Sequence, residues 1–420
     1  MDVHGLSNYL SRYDRYRQEK PIKCYFLTVV LLFAILTGIA GVLTGGEAIW
    51  RILFQIRTAT WSDFYNSFHS TYNITTDIYP PLGQTIFLLL DNLSYVAPGQ
   101  LSVTHLFGIV FYTLFFSVVY LALIFRLRKV NTSSVKEKIL LSLALVLSLP
   151  SLYCLERGNI LPVALLCLCL YLSYYDSENR WVRICAYICL GFSVGFKIYP
   201  VVFSLLILRQ RRYQEFILCA IIVAGMFLLP YCFTQGGFIE HMQFIFGFAG
   251  EHQSNVSYDH INIVNILCCF GLVINYDLHT VAQIFAYAVG LIMIILVLWD
   301  KALEKWKIYA CLAVLAIGCI GFRPVYAIMF FIPALVLFLD NNRGLNSIDL
   351  VYLICFIVMF TPFLQIFFEI DGVSVVGSAT IGKMGITTLL EGLGIILMGV
   401  TIIYEFLRGH FFTHKDEETV

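Results

Sequence analysis

The chain has 420 residues, of which 59% are hydrophobic and 13% are charged, and its formal net charge at pH 7 is zero. Its mean hydropathy is +0.82. A soluble domain of this length needs far more charged side chains to cover its surface, so the composition predicts a polytopic membrane protein surrounded by lipid. No basic patch and no run of like charges indicates a nucleic-acid partner.

The first 23 residues are polar and basic, and a membrane-length apolar run follows them. Such a segment is too long for the positive end of a signal peptide, and basic flanks stay in the cytoplasm. We therefore predict that 1–23 is a cytoplasmic N-terminal segment. The thirteen cysteines lie mostly within apolar runs, where thiols act as small core residues. Their spacing predicts no metal site.

Apolar runs of about twenty residues predict membrane spans, and loops rich in Lys and Arg mark the cytoplasmic side. On this basis the fold class is all-α, a polytopic transmembrane helical bundle over 24–407, with a cytoplasmic tail over 408–420. No inverted repeat is visible. The roughly twelve predicted spans are 24–44, 101–125, 139–155, 160–175, 184–196, 198–208, 217–233, 280–298, 309–321, 326–339, 349–368 and 387–407.

Two long segments between spans are predicted to lie on the outer face. The first outer loop is 45–84, and the second is 234–265. The segment 85–97 is short for a span and carries Asp91, so it is predicted to be a re-entrant or interfacial helix on the outer side. The short apolar segment 266–274 is predicted to be interfacial in the same way.

Asp63 is the first candidate for chemistry, in the sequence Ser62-Asp63-Phe64-Tyr65 of the first outer loop. A carboxylate outside the membrane and beside two aromatic residues is suited to act as a general base on a hydroxyl group. The same residue is also compatible with a solvated loop acid, because acidic residues are common in loops.

Three basic residues border the predicted outer face. Arg157 precedes Gly158, so the chain can turn and the guanidinium can bind phosphate oxygens; an interfacial anchor or an ion pair with Glu156 is the alternative. Lys197 lies where two short apolar helices meet, and it must find an anion, water or the lipid headgroups. Arg323 lies at the end of a span and has the same alternatives.

Tyr79-Pro80-Pro81-Leu82 is typical of a turn that starts a helix, because proline fixes its backbone and is favoured in the first helical turn. The tyrosines of the outer segments are compatible with an interfacial belt or with sugar stacking. His252 and the other loop histidines lack zinc-ligand spacing and are interpreted as solvated or hydrogen-bonded.

Four short motifs occur in order: Ser62–Tyr65, Tyr79–Leu82, Glu156–Ile160 and Gly195–Pro200. Together they resemble the GT-C superfamily of membrane glycosyltransferases, specifically family 87 (DUF2029-type), whose members use polyprenyl-phosphate-mannose. The resemblance is close over 63–212 and looser beyond it. The family usually has Arg-Gly-Gln where this chain has Arg-Gly-Asn.

The resemblance implies an inverting hexosyltransferase without a cofactor or metal. The donor is a polyprenyl-phosphate sugar, by family a mannosyl donor, and the acceptor is a glycan or glycolipid of the cell envelope. The site faces the outside of a membrane, expected to be the bacterial cytoplasmic membrane. Asp63 is the implied general base, and the implied groups for the donor phosphate are Arg157, Lys197 and Arg323. Residues expected to bind substrate are Tyr65, Asp77, Tyr79, Glu156, Asn159 and His252.

Two other functions were compared with glycosyl transfer. A transporter or flippase of lipid-linked saccharides predicts inverted repeats or broken helices in both halves, whereas the polar breaks lie mainly in the first half. A polysaccharide polymerase shares the many spans and the large outer loop. The combination of Asp63 with Tyr79-Pro80-Pro81 disfavours the polymerase.

Overall fold

The structure of the chain is a computed structural model. The structure describes residues 22–52, 63, 79–86, 106–130, 134–234, 236–253, 256–257, 259–319, 321, 323–340, 346–363, 367–369 and 383–411.

Helices make up nearly all of the regular structure in these residues. The α-helices are α1 (Ile22–Leu43), α2 (Glu47–Ile52), α3 (Leu106–Val130), α4 (Val135–Val146), α5 (Leu149–Arg157), α6 (Leu161–Tyr174), α7 (Arg180–Phe196), α8 (Leu205–Arg209), α9 (Tyr213–Leu228), α10 (Phe238–Gln253), α11 (Ile263–Val273), α12 (His279–Trp299), α13 (Lys305–Ala313), α14 (Ile332–Leu339), α15 (Ser347–Phe360) and α16 (Ile386–Phe411). The 3₁₀-helices are Tyr199–Ser204, Leu229–Cys232 and Val325–Phe331, and Val314–Cys319 is a π-helix. Strands β1 (Phe367–Glu369) and β2 (Lys383–Gly385) pair antiparallel.

Four helices in the described part of the chain are long and apolar enough to cross a membrane. They are Ile22–Leu43, Tyr213–Cys232, His279–Trp299 and Ile386–Gly409. A fifth span is obtained if α4 and α5 count as one broken span, and six further apolar helices are shorter. The predicted helical membrane protein is confirmed at this level, whereas a count of roughly twelve spans goes beyond it.

The predicted span 139–155 is two helices, not one, because α4 and α5 meet at an angle of 54°. Pro150 lies in the first turn of α5 and has no N–H to donate to the preceding turn. The hydroxyl of Ser148 donates to the carbonyl of Leu145 at 2.6 Å. A single span was predicted here because the run 139–155 is predominantly apolar. The second arm, α5, carries Glu156 and Arg157 at its end.

The best-buried part of the bundle is the sequence of helical elements from α13 to α14. All residues of the π-helix, the 3₁₀-helix Val325–Phe331 and all but one of α14 are buried. The outer helices instead expose apolar side chains, as at Val42 and Trp299, which are 83% and 81% exposed. Large apolar side chains on the outside of a helical bundle are what contact with lipid tails requires.

The buried central elements are interrupted between the π-helix and Val325. Gly321 turns the chain with a φ of +60°. The following backbone pairs with the segment before α11: the N–H of Ile261 donates to the carbonyl of Arg323, and the N–H of Val325 donates to that of Asp259, both at 3.0 Å. This pairing fixes 259–261 next to the core.

Several predicted loops contain regular structure. The segment 234–265 includes the sixteen-residue helix α10, in which Phe238, Met242, Ile245 and Ala249 recur at helical spacing. The polar and aromatic composition of 234–265 had indicated a loop. The first outer loop, 45–84, contains α2 and the start of the helical segment 81–86. The re-entrant helix predicted over 85–97 lies outside the described residues, except for positions 85 and 86.

Candidate active site

Asp63 lies at the centre of a polar cluster beyond the end of α5. Nη2 of Arg157 donates to Oδ1 of Asp63 at 2.7 Å, forming a salt bridge. Nδ2 of Asn159 donates to Oδ2 of the same carboxylate, also at 2.7 Å. Asp63 is buried, and each of its oxygens accepts one of these short bonds. The two donors therefore fix the direction in which the carboxylate points.

Gly158 explains how two consecutive polar residues reach the same carboxylate. It ends α5 in the left-handed conformation, with a φ of 66°. Glycine adopts this conformation without the steric cost that a Cβ atom imposes. The turn lets Arg157 end one helix while Asn159 lies just before the next, which begins at Leu161. The N–H of Asn159 still bonds to the carbonyl of Cys154 at 3.1 Å.

The amide of Asn159 is oriented by the helix that follows it. Its Oδ1 accepts the N–H of Leu161 at 3.0 Å, in the first turn of α6. The amide nitrogen must then face the other way, where it donates to Asp63 and, at 2.9 Å, to the hydroxyl of Tyr79. Asn159 is fully buried, so each of these bonds replaces contact with water.

Lys197 contacts the cluster by cation–π interactions with two aromatic rings. It follows the last residue of α7 in an extended conformation, at the predicted break between two short helices. Its Nζ lies 4.1 Å from the ring centre of Tyr79 and 5.7 Å from that of Tyr326. Cation–π contacts of this kind are strongest where water is excluded, and Lys197 is buried. The ammonium is thereby held beside Tyr79, whose hydroxyl accepts a hydrogen bond from Asn159.

A close approach between two segments places Tyr79 beside α7. A Cβ atom added to Gly195 would lie 2.6 Å from Cδ2 of Leu82, so any larger residue would have to displace the Leu82 side chain. The helical segment 81–86 begins at Pro81, whose carbonyl accepts the hydroxyl of Thr85 at 3.0 Å. The motif Tyr79-Pro80-Pro81-Leu82 leads into a helix, as expected. Tyr79 also supplies a ring and a hydroxyl to the cluster.

A second carboxylate, Asp259, is connected to the cluster through two tyrosines. Its Oδ2 accepts the hydroxyl of Tyr153 at 2.9 Å, and its Oδ1 accepts that of Ser257 at 2.9 Å. The ring of Tyr153 stacks on that of Tyr326, with 5.8 Å between the ring centres. Tyr326 in turn contacts Lys197. Asp259 was not among the residues singled out from the sequence, although its two neighbours in the second outer segment, Tyr258 and His260, were considered.

Arg323 occupies a separate position at the break in the central elements. Its Nε donates to the carbonyl of Ala316 at 3.0 Å, and its guanidinium carbon lies 4.3 Å from the ring centre of Tyr199. Burial lowers the pKa of the guanidinium from its ordinary value, and the hydroxyls of Tyr199 and Tyr326 act in the opposite direction. Since an arginine keeps its proton under these conditions, this is a buried cation stacked on a ring.

The model of glycosyltransferase family 87 matches residues 78–322, more than half of the chain. The chain belongs to glycosyltransferase family 87. It is therefore a membrane glycosyltransferase, and the resemblance given by the four motifs is confirmed. No curated protein and no solved structure matches the sequence.

The family 87 match includes Tyr79, Arg157, Asn159 and Lys197, together with the second carboxylate, Asp259. It begins after Asp63 and ends before Arg323. The family match therefore does not itself include Asp63. Asp63 is connected to the matched region by its hydrogen bonds to Arg157 and Asn159.

The structure leaves some of the candidate residues apart from the cluster. Glu156 is buried next to Arg157 in the last turn of α5, yet the partner of Arg157 is Asp63 and not this neighbour. His252 lies in the last turn of α10, and its side chain is outside the described residues, as are Tyr65 and Asp77 entirely. Across the described ranges, no group of three or more His, Cys, Asp or Glu side chains could hold a metal ion.

Proposed function

We propose that this family 87 enzyme transfers a hexose, by family mannose, from a polyprenyl-phosphate donor to a glycan or glycolipid acceptor, with inversion at the anomeric carbon. The observation that carries the proposal is the carboxylate of Asp63 held by Arg157 and Asn159, with the ammonium of Lys197 at the same cluster. Glycosyl transfer from a phosphate is assisted by a base for the acceptor hydroxyl and by fixed cations for the leaving phosphate, and this cluster offers candidates for both.

Asp63 acts as the general base in this scheme. Each carboxylate oxygen has two acceptor sites and uses one for a donor from Arg157 or Asn159, so one site on each oxygen remains for the acceptor hydroxyl. As that hydroxyl oxygen attacks the anomeric carbon, its proton passes to Asp63. The bond from the anomeric carbon to the phosphate oxygen breaks on the opposite face, and the electron pair leaves with polyprenyl phosphate.

Arg157 and Lys197 stabilise the leaving phosphate. A guanidinium has five N–H donors, and the bond to Asp63 occupies one of them, so Arg157 can hold the base and bind a phosphate oxygen together. Lys197 adds a second positive charge that is fixed by the rings of Tyr79 and Tyr326. Fixed charges in a buried site stabilise developing negative charge better than mobile water does.

Arg323 is proposed as a third phosphate contact, and Tyr65, Asp77, Tyr79, Glu156, Asn159 and His252 as substrate-binding residues. We further propose that the cluster faces the outside of a bacterial cytoplasmic membrane, in a bundle of roughly twelve spans. Support for this arrangement comes from the basic residues of the predicted cytoplasmic turns, such as Arg180, Arg183 and Arg209. The shorter apolar helices that accompany the four or five candidate spans also support it.

The donor is tested with the purified chain in proteoliposomes. We expect transfer from radiolabelled polyprenyl-phosphate-mannose to added acceptor, slower transfer from polyprenyl-phosphate-glucose, and none from GDP-mannose in the absence of polyprenyl phosphate. The product should have the opposite anomeric configuration to the donor, as measured by NMR. Direct use of GDP-mannose, or retention of configuration, would contradict the proposal.

A further inference from the structure

A cavity of about 270 Å³ lies at the end of the bundle away from Asp63. Ser173, near the end of α6, lines this cavity, whereas the N–H of Leu161 at the start of the same helix donates to Oδ1 of Asn159. Twelve residues separate Leu161 from Ser173, which is about 18 Å along a helix. The cavity is therefore distinct from the candidate active site, and none of the reaction described above uses it.

Arg126 supplies a positive charge to the wall of this cavity. Its Nε is buried, and within the described residues it has no hydrogen-bond partner. The guanidinium carbon lies 4.9 Å from the ring centre of Tyr174, a contact that orients the group without neutralising it. A buried N–H donor of a charged group is costly to leave without an acceptor. Arg126 is on the cavity wall, so an anion bound in the cavity would lie next to its guanidinium.

Lys305 is a second cation on the same wall. Its Nζ lies 3.6 Å from a carboxylate oxygen of Asp176, and its side chain is 52% exposed. An ion pair this exposed contributes little stability, so the ammonium can turn toward an anion in the cavity at small cost. Tyr309 is also on the wall, and its hydroxyl donates to the carbonyl of Leu172 at 3.5 Å. Two cations thus border one space.

The remaining wall is apolar and includes Leu172 and Leu337. These residues lie near the ends of α6 and α14, in helices of a membrane bundle. A site with cations at a helix end and an apolar wall suits a ligand with a phosphate head and a hydrocarbon tail. We propose that this cavity binds a phosphate group, and that its source is an anionic phospholipid of the leaflet opposite the active site.

The test uses the full-length chain in detergent, titrated with dioleoyl-phosphatidylglycerol, dioleoyl-phosphatidylcholine or inorganic phosphate and measured by native mass spectrometry. We expect one saturable site for phosphatidylglycerol and weaker binding of phosphatidylcholine. Arg126→Gln should weaken phosphatidylglycerol binding about fivefold, the usual contribution of one basic residue beside an anionic headgroup. Lys301→Gln, which removes an exposed charge nearby but outside the cavity wall, is the matched control and should bind like wild type.

Lys305→Gln changes a half-exposed side chain and decides the question if Arg126→Gln does not fold; it should also weaken binding. Equal binding by wild type and both cavity variants would overturn the proposal, as would equal losses in these variants and in Lys301→Gln. Arg126-dependent binding of inorganic phosphate without binding of phosphatidylglycerol would support the phosphate site and overturn the lipid as its source.

Discussion

Lys197 places a buried ammonium 4.1 Å from the ring centre of Tyr79, within the cluster that contains Asp63. If it stabilises the leaving phosphate, Lys197→Met should lower kcat/KM for the polyprenyl-phosphate donor about 10²- to 10³-fold, since the methionine keeps the apolar stem but not the charge. Lys197→Arg should retain part of the activity. The exposed Lys301→Met is the control, and wild-type kinetics for Lys197→Met would remove this residue from the phosphate site.

Asn159 is the residue whose hydrogen bonds connect the cluster to the fold. Asn159→Asp replaces the donor to Asp63 by a second carboxylate, so two like groups would meet where a 2.7 Å bond now exists. We expect the free energy of unfolding to fall by about 1–3 kcal/mol, measured by thermal unfolding in detergent. Asn159→Gln keeps an amide and should be less harmful. An Asp variant as stable as wild type would contradict the described hydrogen bond.

Single residues were identified from the sequence more readily than their contacts. Arg157, Asn159 and Lys197 were identified because polar groups stand out beside apolar runs, and Asp63 because a carboxylate lies beside aromatic residues in the first outer loop. The bond from Arg157 to Asp63 joins residues 94 positions apart, and no local pattern encodes such a pairing. The sequence instead suggested phosphate or Glu156 as the partner of Arg157. Asp259 was missed because a single acid in a polar segment carries no periodic or motif signal.

At the scale of elements, the turn between α5 and α6 decides whether Arg157 and Asn159 can share one carboxylate. Gly158→Ala puts a Cβ atom on a residue with a φ of 66°, a conformation that costs about 1–2 kcal/mol for residues with a side chain. We expect a lower unfolding temperature and a larger loss of transferase activity, because relaxation of the turn separates the two donors.

Gly225→Ala is the matched control for that change. Gly225 is within α9, and a Cβ atom added there meets no atom within 4 Å. Alanine in a helix interior is more favourable than glycine by roughly 0.5–1 kcal/mol, so this variant should be unchanged or slightly more stable. Equal behaviour of the two variants would show that the left-handed turn at Gly158 does not matter.

Element boundaries depended on signals of unequal strength. The break at Lys197 was predicted from a charged residue between apolar runs, and α7 ends there. The bend before Pro150 was missed because the run 139–155 is predominantly apolar, although it contains Ser142, Ser148 and Ser151 as well as the proline. Helix α10 was missed for the opposite reason: its histidine, glutamate and glycine residues obscured the helical spacing of its apolar side chains.

At the scale of the whole molecule, the orientation of the bundle remains a prediction that labelling can test. Helix α12 has 21 residues, about 30 Å, and exposed residues Asp277 and Lys301 flank it. Asp277→Cys should react with an impermeant maleimide in intact cells, and Lys301→Cys only after permeabilisation. The background replaces the exposed cysteines Cys24, Cys185 and Cys232 by serine. The reverse pattern would place the candidate active site in the cytoplasm.

The central claim is that the carboxylate held by Arg157 and Asn159 is the base for glycosyl transfer. Asp63→Asn keeps the size of the side chain but cannot accept the proton, whereas Asp277→Asn makes the same change at an exposed position. In proteoliposomes supplied with radiolabelled polyprenyl-phosphate-mannose, Asp63→Asn should reduce turnover by about 10²- to 10⁴-fold while donor binding persists, and Asp277→Asn should match wild type. Full turnover by Asp63→Asn would contradict the account.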